Sequence, residues 1–460
     1  MWIPNLPTDG TPIFQQILAA LHRAISDGEL EPGARLPPQR QLAKRLGVSV
    51  GTITRAYEEA DRRGLTIGHV GRGTFIARAF EVDGVRNPGQ VVDLSLNYPP
   101  MVAAERLLVE TWGRVRRRPD FLDALNYGPI EGFPQHRRLA SSWLSRTGGA
   151  DSVDPNRIVV TCGGQASIDL VMNHLCKPGD TILAEALTFS GMKALAQHRG
   201  YLLLGVAMDE EGINPDSLSR AAKASGARVL YVMPTLQNPT ARTMSLARRN
   251  DVLKVARHLK LKIVEDDNYA VYADRRLAVP PLVNLAPDIC YYVCGMSKSI
   301  APGLRTGFVI APERTSAAAI AWGVRASCFA SQAMGPLIAQ QAIEDGAAEQ
   351  IIKENQGILK VRGRQLREVF GIAESPQARC SPHVWLPLSG PKEANRLETR
   401  LLDDNVRVTG AEVPVLEGAN ECGLRFCIGA TRREVDFERA LGAIRRIRTE
   451  PDEQPQRAVI

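Results

Sequence analysis

The sequence predicts a chain of two parts: a small winged helix-turn-helix module, then a larger α/β domain on a mostly parallel sheet that ends in a smaller α+β lobe. Three observations predict it. The first eighty residues carry short amphipathic helices around a glycine-containing turn, followed by a β-prone hairpin. From about residue 92, helical and apolar β runs alternate, as they do where helices cover a parallel sheet. Polar, chemistry-bearing residues recur at the ends of those apolar runs, where open parallel sheets place their ligands.

The bulk numbers are compatible with this. A length of 460 residues allows roughly three domains. With 44% hydrophobic and 23% charged residues the composition is that of an ordinary globular protein. A formal charge of +7 admits a polyanionic partner without establishing one. Met1 to Gly10 has neither a basic n-region nor an apolar core, so no secretory signal is read. No apolar run approaches the ~18 residues of a membrane span, and a cytoplasmic protein is expected. The 8 cysteines are scattered. Cys290-x-x-x-Cys294 comes nearest to a motif but has no histidine or second pair at metal spacing, so reduced thiols and no metal are expected.

In the front module, Ile13, Ile17, Leu18, Leu21 and Ile25 recur at helical spacing between Pro12 and Asp27. A second short helix carries Leu42, Ala43 and Leu46. Gly47-Val48-Ser49 supplies a tight turn with an N-cap serine. The third helix sets Val50, Ile53, Tyr57 and Ala60 on one face. Leu65–Ile67 and Thr74–Ile76 form a hairpin around Gly71-Arg72-Gly73. In such a module the third helix enters the major groove, which assigns Thr52, Thr54 and Arg55, with Ser49 at its start, to DNA. Arg35, Arg40 and Lys44 are placed for phosphates, and Arg72 at the wing tip for the minor groove.

Residues 79–91 lack periodicity and end in Asn-Pro-Gly, the mark of a linker. Domain boundaries follow: 10–78, linker 79–91, large domain 92–374, small lobe 375–448. Candidate strands of the large domain are Ile158–Thr161, Thr181–Ala184, Val229–Met233, Lys262–Val264, Tyr291–Cys294 and Gly307–Ile310. Val384–Leu386 and Leu424–Ile428 flank a helix at 391–403 in the small lobe. The basic run Arg114-Val-Arg116-Arg117-Arg118 reads as a solvated helix end.

A lysine at a strand mouth, Lys298 in Met296-Ser297-Lys298-Ser299, can lose its charge and form an imine with an aldehyde cofactor. Ser297 and Arg305 could hold that cofactor's phosphate. Gly163-Gly164-Gln165, at a strand end that opens a helix, offers backbone N–H groups to a phosphate. Phe189 could stack on a planar ring. Asn238 in Asn238-Pro239-Thr240 could bond a phenolate oxygen. Asp266, ending the apolar run Ile263-Val264-Glu265, needs a cationic partner, and a protonated pyridine nitrogen is one. Tyr269 offers a hydroxyl three residues on.

These motifs carry two resemblances. Pro32-Gly33-Ala34-Arg35-Leu36-Pro37, Leu46-Gly47-Val48-Ser49 and Gly71-Arg72-Gly73-Thr74-Phe75 make residues 12–77 similar to the GntR-type winged-helix domain, although Val50 stands where that family usually has arginine. Residues 90–445 resemble the fold type I pyridoxal phosphate enzymes of the class I/II aminotransferase group. The whole chain is thereby similar to the MocR-type transcriptional regulators. The resemblance implies pyridoxal 5'-phosphate as cofactor, with the internal aldimine at Lys298 and the pyridine nitrogen on Asp266. Asn238 and Tyr269 would take the ring oxygen, Phe189 the ring face, and Gly164, Gln165, Ser297 and Arg305 the phosphate. Tyr127 matches a tyrosine that reaches the neighbouring subunit's phosphate, and Arg425 the arginine that forks onto a carboxylate. Two departures stand out: Ala241 replaces the glycine after Asn-Pro-Thr, and Gly295 a common serine. The expected partners are double-stranded DNA with paired half-sites, an amine or amino-acid effector, and a second copy of the chain. The alternative is an aminotransferase for which DNA binding is secondary.

Overall fold

The computed structural model describes residues 2–6, 11–26, 29–30, 34–62, 66–69, 73–76 and 91–449. The chain divides into two compact units, residues 1–88 and 89–460. The expected linker at 79–91 lies, but for Val91, outside the described residues.

In the first unit, α1 (Ile13–Ser26), α2 (Gln39–Leu46) and α3 (Val50–Arg62) precede a hairpin of β1 (Thr66–His69) and β2 (Gly73–Ile76). The turn between α2 and α3 works because Gly47 takes φ 65, a conformation that a side chain would disfavour. Ser49 caps α3 by accepting from the Thr52 N–H at 3.1 Å. Ile17, Leu21, Leu42, Ile53, Ala56, Tyr57 and Ile76 build the core, and the Tyr57 hydroxyl is satisfied by Pro37 O at 3.0 Å. The hairpin pairs His69 with Gly73 and Thr66 with Ile76. Two expected core positions are corrected. Val50 is 43% exposed and Ile13 42%, because each lies in the first turn of its helix, beyond the reach of the core.

The second unit is built on a seven-stranded sheet. Its strands are β4 (Ile158–Thr161), β5 (Thr181–Glu185), β6 (Leu202–Val206), β7 (Val229–Val232), β8 (Lys262–Asp266), β9 (Cys290–Gly295) and β10 (Gly307–Ile310), with β3 (Val92–Asp93) outside it. The spatial order is β4-β10-β9-β8-β7-β5-β6. Pairings are parallel from β9 to β6, while β10 runs antiparallel to both β9 and β4. Strands β4, β7, β8 and β9 are buried on every residue or all but one, the signature of a sheet covered on both faces. The six expected strands are all present. The seventh, β6, escaped the sequence reading because it is an edge strand whose first residue, Leu202, is 60% exposed.

The small lobe has β11 (His383–Leu388) antiparallel to β13 (Cys422–Cys427), with Trp385 opposite Arg425. A helix, Pro391–Asp403, matches its expected bounds. The short strand β12 (Val406–Arg407) pairs in parallel with β3, and Cys427 N–H bonds Leu94 O at 2.7 Å. Residues 92–97 are thus tied to the small lobe. The basic run near residue 116 differs from expectation: Arg114 pairs with Asp345 and Arg118 with Asp120 and Glu344, so these two are held in ion pairs. No helix among the described residues is long and apolar enough to cross a membrane.

Candidate functional site

In the first unit, Arg40, Lys44, Arg35, Ser49 and Arg55 are exposed or half-buried. Among the described residues no ion pair joins a carboxylate to Arg35, Arg40 or Lys44, and the Arg35 guanidinium lies against Gly73, where an added Cβ would come within 3.0 Å of it. Two of the residues assigned to the groove have partners inside the module. The Thr54 hydroxyl donates to Gln39 Oε1 at 2.7 Å, and the Arg55 guanidinium lies 4.0 Å over the Phe14 ring. Thr52 and Ser49 share a hydroxyl bond at 2.8 Å. Arg72 lies outside the described residues.

In the second unit the strand ends converge. Asp266 is the last residue of β8 and fully buried. Its carboxylate accepts from Tyr231 Oη at 2.7 Å and from Asn268 Nδ2 at 2.5 Å. Both donors are neutral. Burial raises its pKa, against the opposing pull of those two donors and of Lys298. An ionised carboxylate in such surroundings is costly unless a cation joins it.

Lys298 follows β9. Its ammonium donates to Asn97 O, and burial pushes its pKa down to about 8. A lysine so tuned is partly neutral near physiological pH, as a nucleophilic or proton-accepting amine must be. Ser297 beside it has a buried hydroxyl without a partner among the described residues.

The loop after β4 turns at Gly163 (φ 91) and opens the helix Gly164–Leu175. The Arg305 guanidinium lies against this loop: it donates to Cys162 O at 3.1 Å, and a Cβ on Gly163 would come within 2.9 Å of it. A Cβ on Gly295 would sit 3.3 Å from Gly164 N, so glycine there keeps that N–H open. Gln165 Nε2 donates to Gly191 O at 2.9 Å, and Phe189 lies over the same glycine.

Asn238 and Arg425 meet directly. Arg425 Nη1 donates to Asn238 Oδ1 at 2.6 Å, and Nη2 to Ser95 O at 2.9 Å and Thr409 Oγ1 at 2.8 Å. Its Nε is buried without a partner among the described residues. Tyr269 Oη accepts from Asn97 Nδ2 at 2.8 Å. Ala241 takes φ 59, in the left-handed region that favours glycine. Beside Arg425 a cavity of about 370 Å³ opens between Ser95, Ser190, Glu398 and Thr409.

Tyr127 stands apart. It is 80% exposed, and its ring meets Phe329 edge-on at 4.7 Å rather than joining Lys298 and its neighbours. Four residues went unassigned in the sequence: Asn97, Tyr231, Asn268 and His383. Asn268 carried a signal, since it lies between Asp266 and Tyr269. The others are single polar residues far along the chain from the lysine.

Comparison with known proteins matches two families. The profile described as "Aminotransferase class I and II" covers residues 89–444, and "Bacterial regulatory proteins, gntR family" covers residues 13–76. The "Uncharacterized HTH-type transcriptional regulator YdeF" of Bacillus subtilis is 28% identical over 97% of this chain and 96% of its own. The "Probable rhizopine catabolism regulatory protein MocR" of Rhizobium meliloti is 23% identical, over 86% of this chain and 83% of its own. Among solved structures, LysN of Thermus thermophilus, an α-aminoadipate aminotransferase complexed with N-(5'-phosphopyridoxyl)-L-leucine, superposes with TM-score 0.67 at 23% identity. The match covers 78% of this chain and 93% of that one, a likeness of fold.

Proposed function

The chain belongs to the class I and II aminotransferases and carries a GntR-family module ahead of that domain, and from this premise we propose that it is a DNA-binding transcriptional regulator whose second unit binds pyridoxal phosphate and senses an amine or amino acid. One observation carries the cofactor reading: among the described residues Asp266 is a fully buried carboxylate whose side-chain hydrogen bonds come from neutral donors, Tyr231 and Asn268. The remaining residues suit the same group. Ser297 has a buried hydroxyl with no partner among the described residues, and Gly164, Gln165 and Arg305 surround a helix start of the kind that binds phosphates.

When bound, pyridoxal phosphate supplies an aldehyde that condenses with amines and a ring that delocalises charge. The chain's own residues divide the work of holding it. Lys298 presents a partly neutral amine. Asp266 would hold a proton on the ring nitrogen by its charge. Asn238, whose Oδ1 is taken by Arg425, has its amide nitrogen to offer the ring oxygen, together with Tyr269. Phe189 covers the ring face. Arg425, buried and cationic, suits a carboxylate on the effector. Effector binding would bias a conformational equilibrium that the DNA-binding module also feels.

Tyr127 supports a homodimer in which Tyr127 of the partner subunit reaches the phosphate. Its ring meets the exposed Phe329, and Leu122, Leu125 and Trp322 are likewise exposed large apolar side chains, of the kind that subunit contacts cover. Two modules per dimer suit paired half-sites in DNA.

A second reading rests on Lys298. An amine with a pKa near 8 is suited to take a proton from the α-carbon of an amino acid, and turnover is compatible with the residues present. Mixing the cofactor-loaded protein with an amino acid and a 2-oxo acid, and following the exchange of amino groups, tests it. The primary proposal is tested by adding pyridoxal phosphate to purified protein and recording visible absorbance. A band is expected that Lys298→Ala abolishes. Its absence from the unaltered protein, or its persistence unchanged in the variant, would overturn the cofactor reading.

A further inference from the structure

The hydroxyl of Tyr269 is oriented by a chain of hydrogen bonds that runs from Gln237 through His383 and Asn97. Gln237 is buried, and its amide donates to Glu185 Oε2 at 3.2 Å and to Leu187 O at 2.6 Å. Its Oε1 accepts from Thr240 N–H at 2.9 Å and Thr240 Oγ1 at 2.7 Å. The side chain is therefore fully engaged and fixes its own backbone carbonyl. That carbonyl lies 3.0 Å from His383 Nε2. A carbonyl only accepts, so Nε2 carries the proton. His383 is fully buried, and burial, with Arg425 nearby, lowers its pKa to about 3. The ring is neutral, and Nδ1 bears a lone pair.

Asn97 faces that lone pair. Its Nδ2 lies 3.4 Å from His383 Nδ1 and 2.8 Å from Tyr269 Oη. The His383 lone pair calls for a donor at this position, which determines the orientation of the amide, and the phenol oxygen then accepts its other N–H. The two N–H bonds point at the two acceptors. A flipped amide would set its oxygen against the imidazole lone pair. With Asn97 donating to Tyr269, the phenol's own proton is the one that must find an acceptor elsewhere. The Tyr269 ring is itself held by an edge contact with His383, centroids 5.4 Å apart. The backbone carbonyl of the same Asn97 accepts from Lys298.

We infer that Asn97, held by His383, is a positioning residue that aims the Tyr269 hydroxyl at the cofactor's ring oxygen and strengthens its donation. An N–H bond to the phenol oxygen polarises the O–H and makes it a better donor. Asn97 acts through Tyr269 and touches the lysine only by its backbone. The charged and titratable groups facing Tyr269 are Arg425, Asp266, Cys427, Tyr272 and His383, and those facing Lys298 are Cys427, Arg425, Asp266 and Arg305; Asn97→Ala replaces none of them and removes only the amide contact of His383 Nδ1. The inference rests on the cofactor reading above.

The test is a spectroscopic pH titration of full-length protein loaded with pyridoxal phosphate, in a double-mutant cycle of Asn97→Ala and Tyr269→Phe. Weaker donation leaves more negative charge on the ring oxygen, so the proton shared with the lysine nitrogen is held more tightly. The midpoint should rise by about half a unit to one unit in Asn97→Ala. In the Tyr269→Phe background the same substitution should add nothing. A midpoint unchanged by Asn97→Ala, or one that shifts equally in both backgrounds, overturns the inference. Asn97→Ser, which also lacks the forked amide, carries the test if the alanine variant fails to fold. If even the unaltered protein shows no visible band, the cofactor reading falls and this inference with it. A band with an unmoved midpoint removes the inference alone.

Discussion

Asp266→Asn separates a cofactor residue from a structural one by producing effects of opposite sign. In the cofactor-free protein, Asp266 is buried and held by Tyr231 at 2.7 Å and Asn268 at 2.5 Å, neither of which is charged. Burial raises its pKa, which means that folding disfavours the ionised form. Asparagine keeps an oxygen for Tyr231 and removes the charge, so the cofactor-free protein should unfold at the same temperature or higher. With cofactor the balance reverses. A charge-assisted bond to a protonated ring nitrogen contributes about 1.5–3 kcal/mol, so its loss should weaken cofactor binding by about 10- to 150-fold. Thermal unfolding followed with and without pyridoxal phosphate, and titration of the visible band, measure the two effects. A variant that is destabilised without cofactor and binds it as tightly as before would refute the argument.

Glu185 is fully buried, its Oε1 without a partner among the described residues, and burial raises its pKa from 4.5 to about 8. Because the folded pKa is the higher one, its contribution to stability is complete below about pH 4.5 and lost as pH rises through about 8; Glu185→Gln should flatten the unfolding temperature across that window. Ala241 sits at φ 59, where a Cβ is strained, so Ala241→Gly should stabilise by about 1 kcal/mol and raise the unfolding temperature by about 1–2 °C. Arg40→Ala should weaken binding to operator and random DNA alike and reduce the salt slope by about one, as loss of a phosphate contact would.

The sequence made the lysine site legible because parallel sheets present side chains at strand ends, and those positions carry a residue-type signature. Lys298, Asp266 and Asn238 each follow an apolar run, and the structure brings the strands that carry them side by side. The groups that orient them left no such trace. Tyr231 looks like one more apolar strand residue until its hydroxyl is seen on Asp266. Asn97 and His383 come from β3's loop and from β11, brought in by packing of the small lobe. Their partners depend on tertiary contacts that no local pattern encodes. The exposed Val50 shows the same limit in the first module, since helical periodicity specifies a face but not where the core ends along it. The partners that engage Thr54 and Arg55 are likewise Gln39 and Phe14, contributed by other helices.

The most direct test of the central claim is the affinity of the full-length protein for DNA upstream of its own gene, relative to random DNA, with and without pyridoxal phosphate. The measurement belongs at physiological salt, where non-specific binding is weak. The account predicts a preference for the upstream fragment of at least about a thousandfold. It further predicts that cofactor changes this affinity in the unaltered protein and leaves it unchanged in Lys298→Ala. Equal affinity for upstream and random DNA, or a response to cofactor identical in Lys298→Ala, would contradict it.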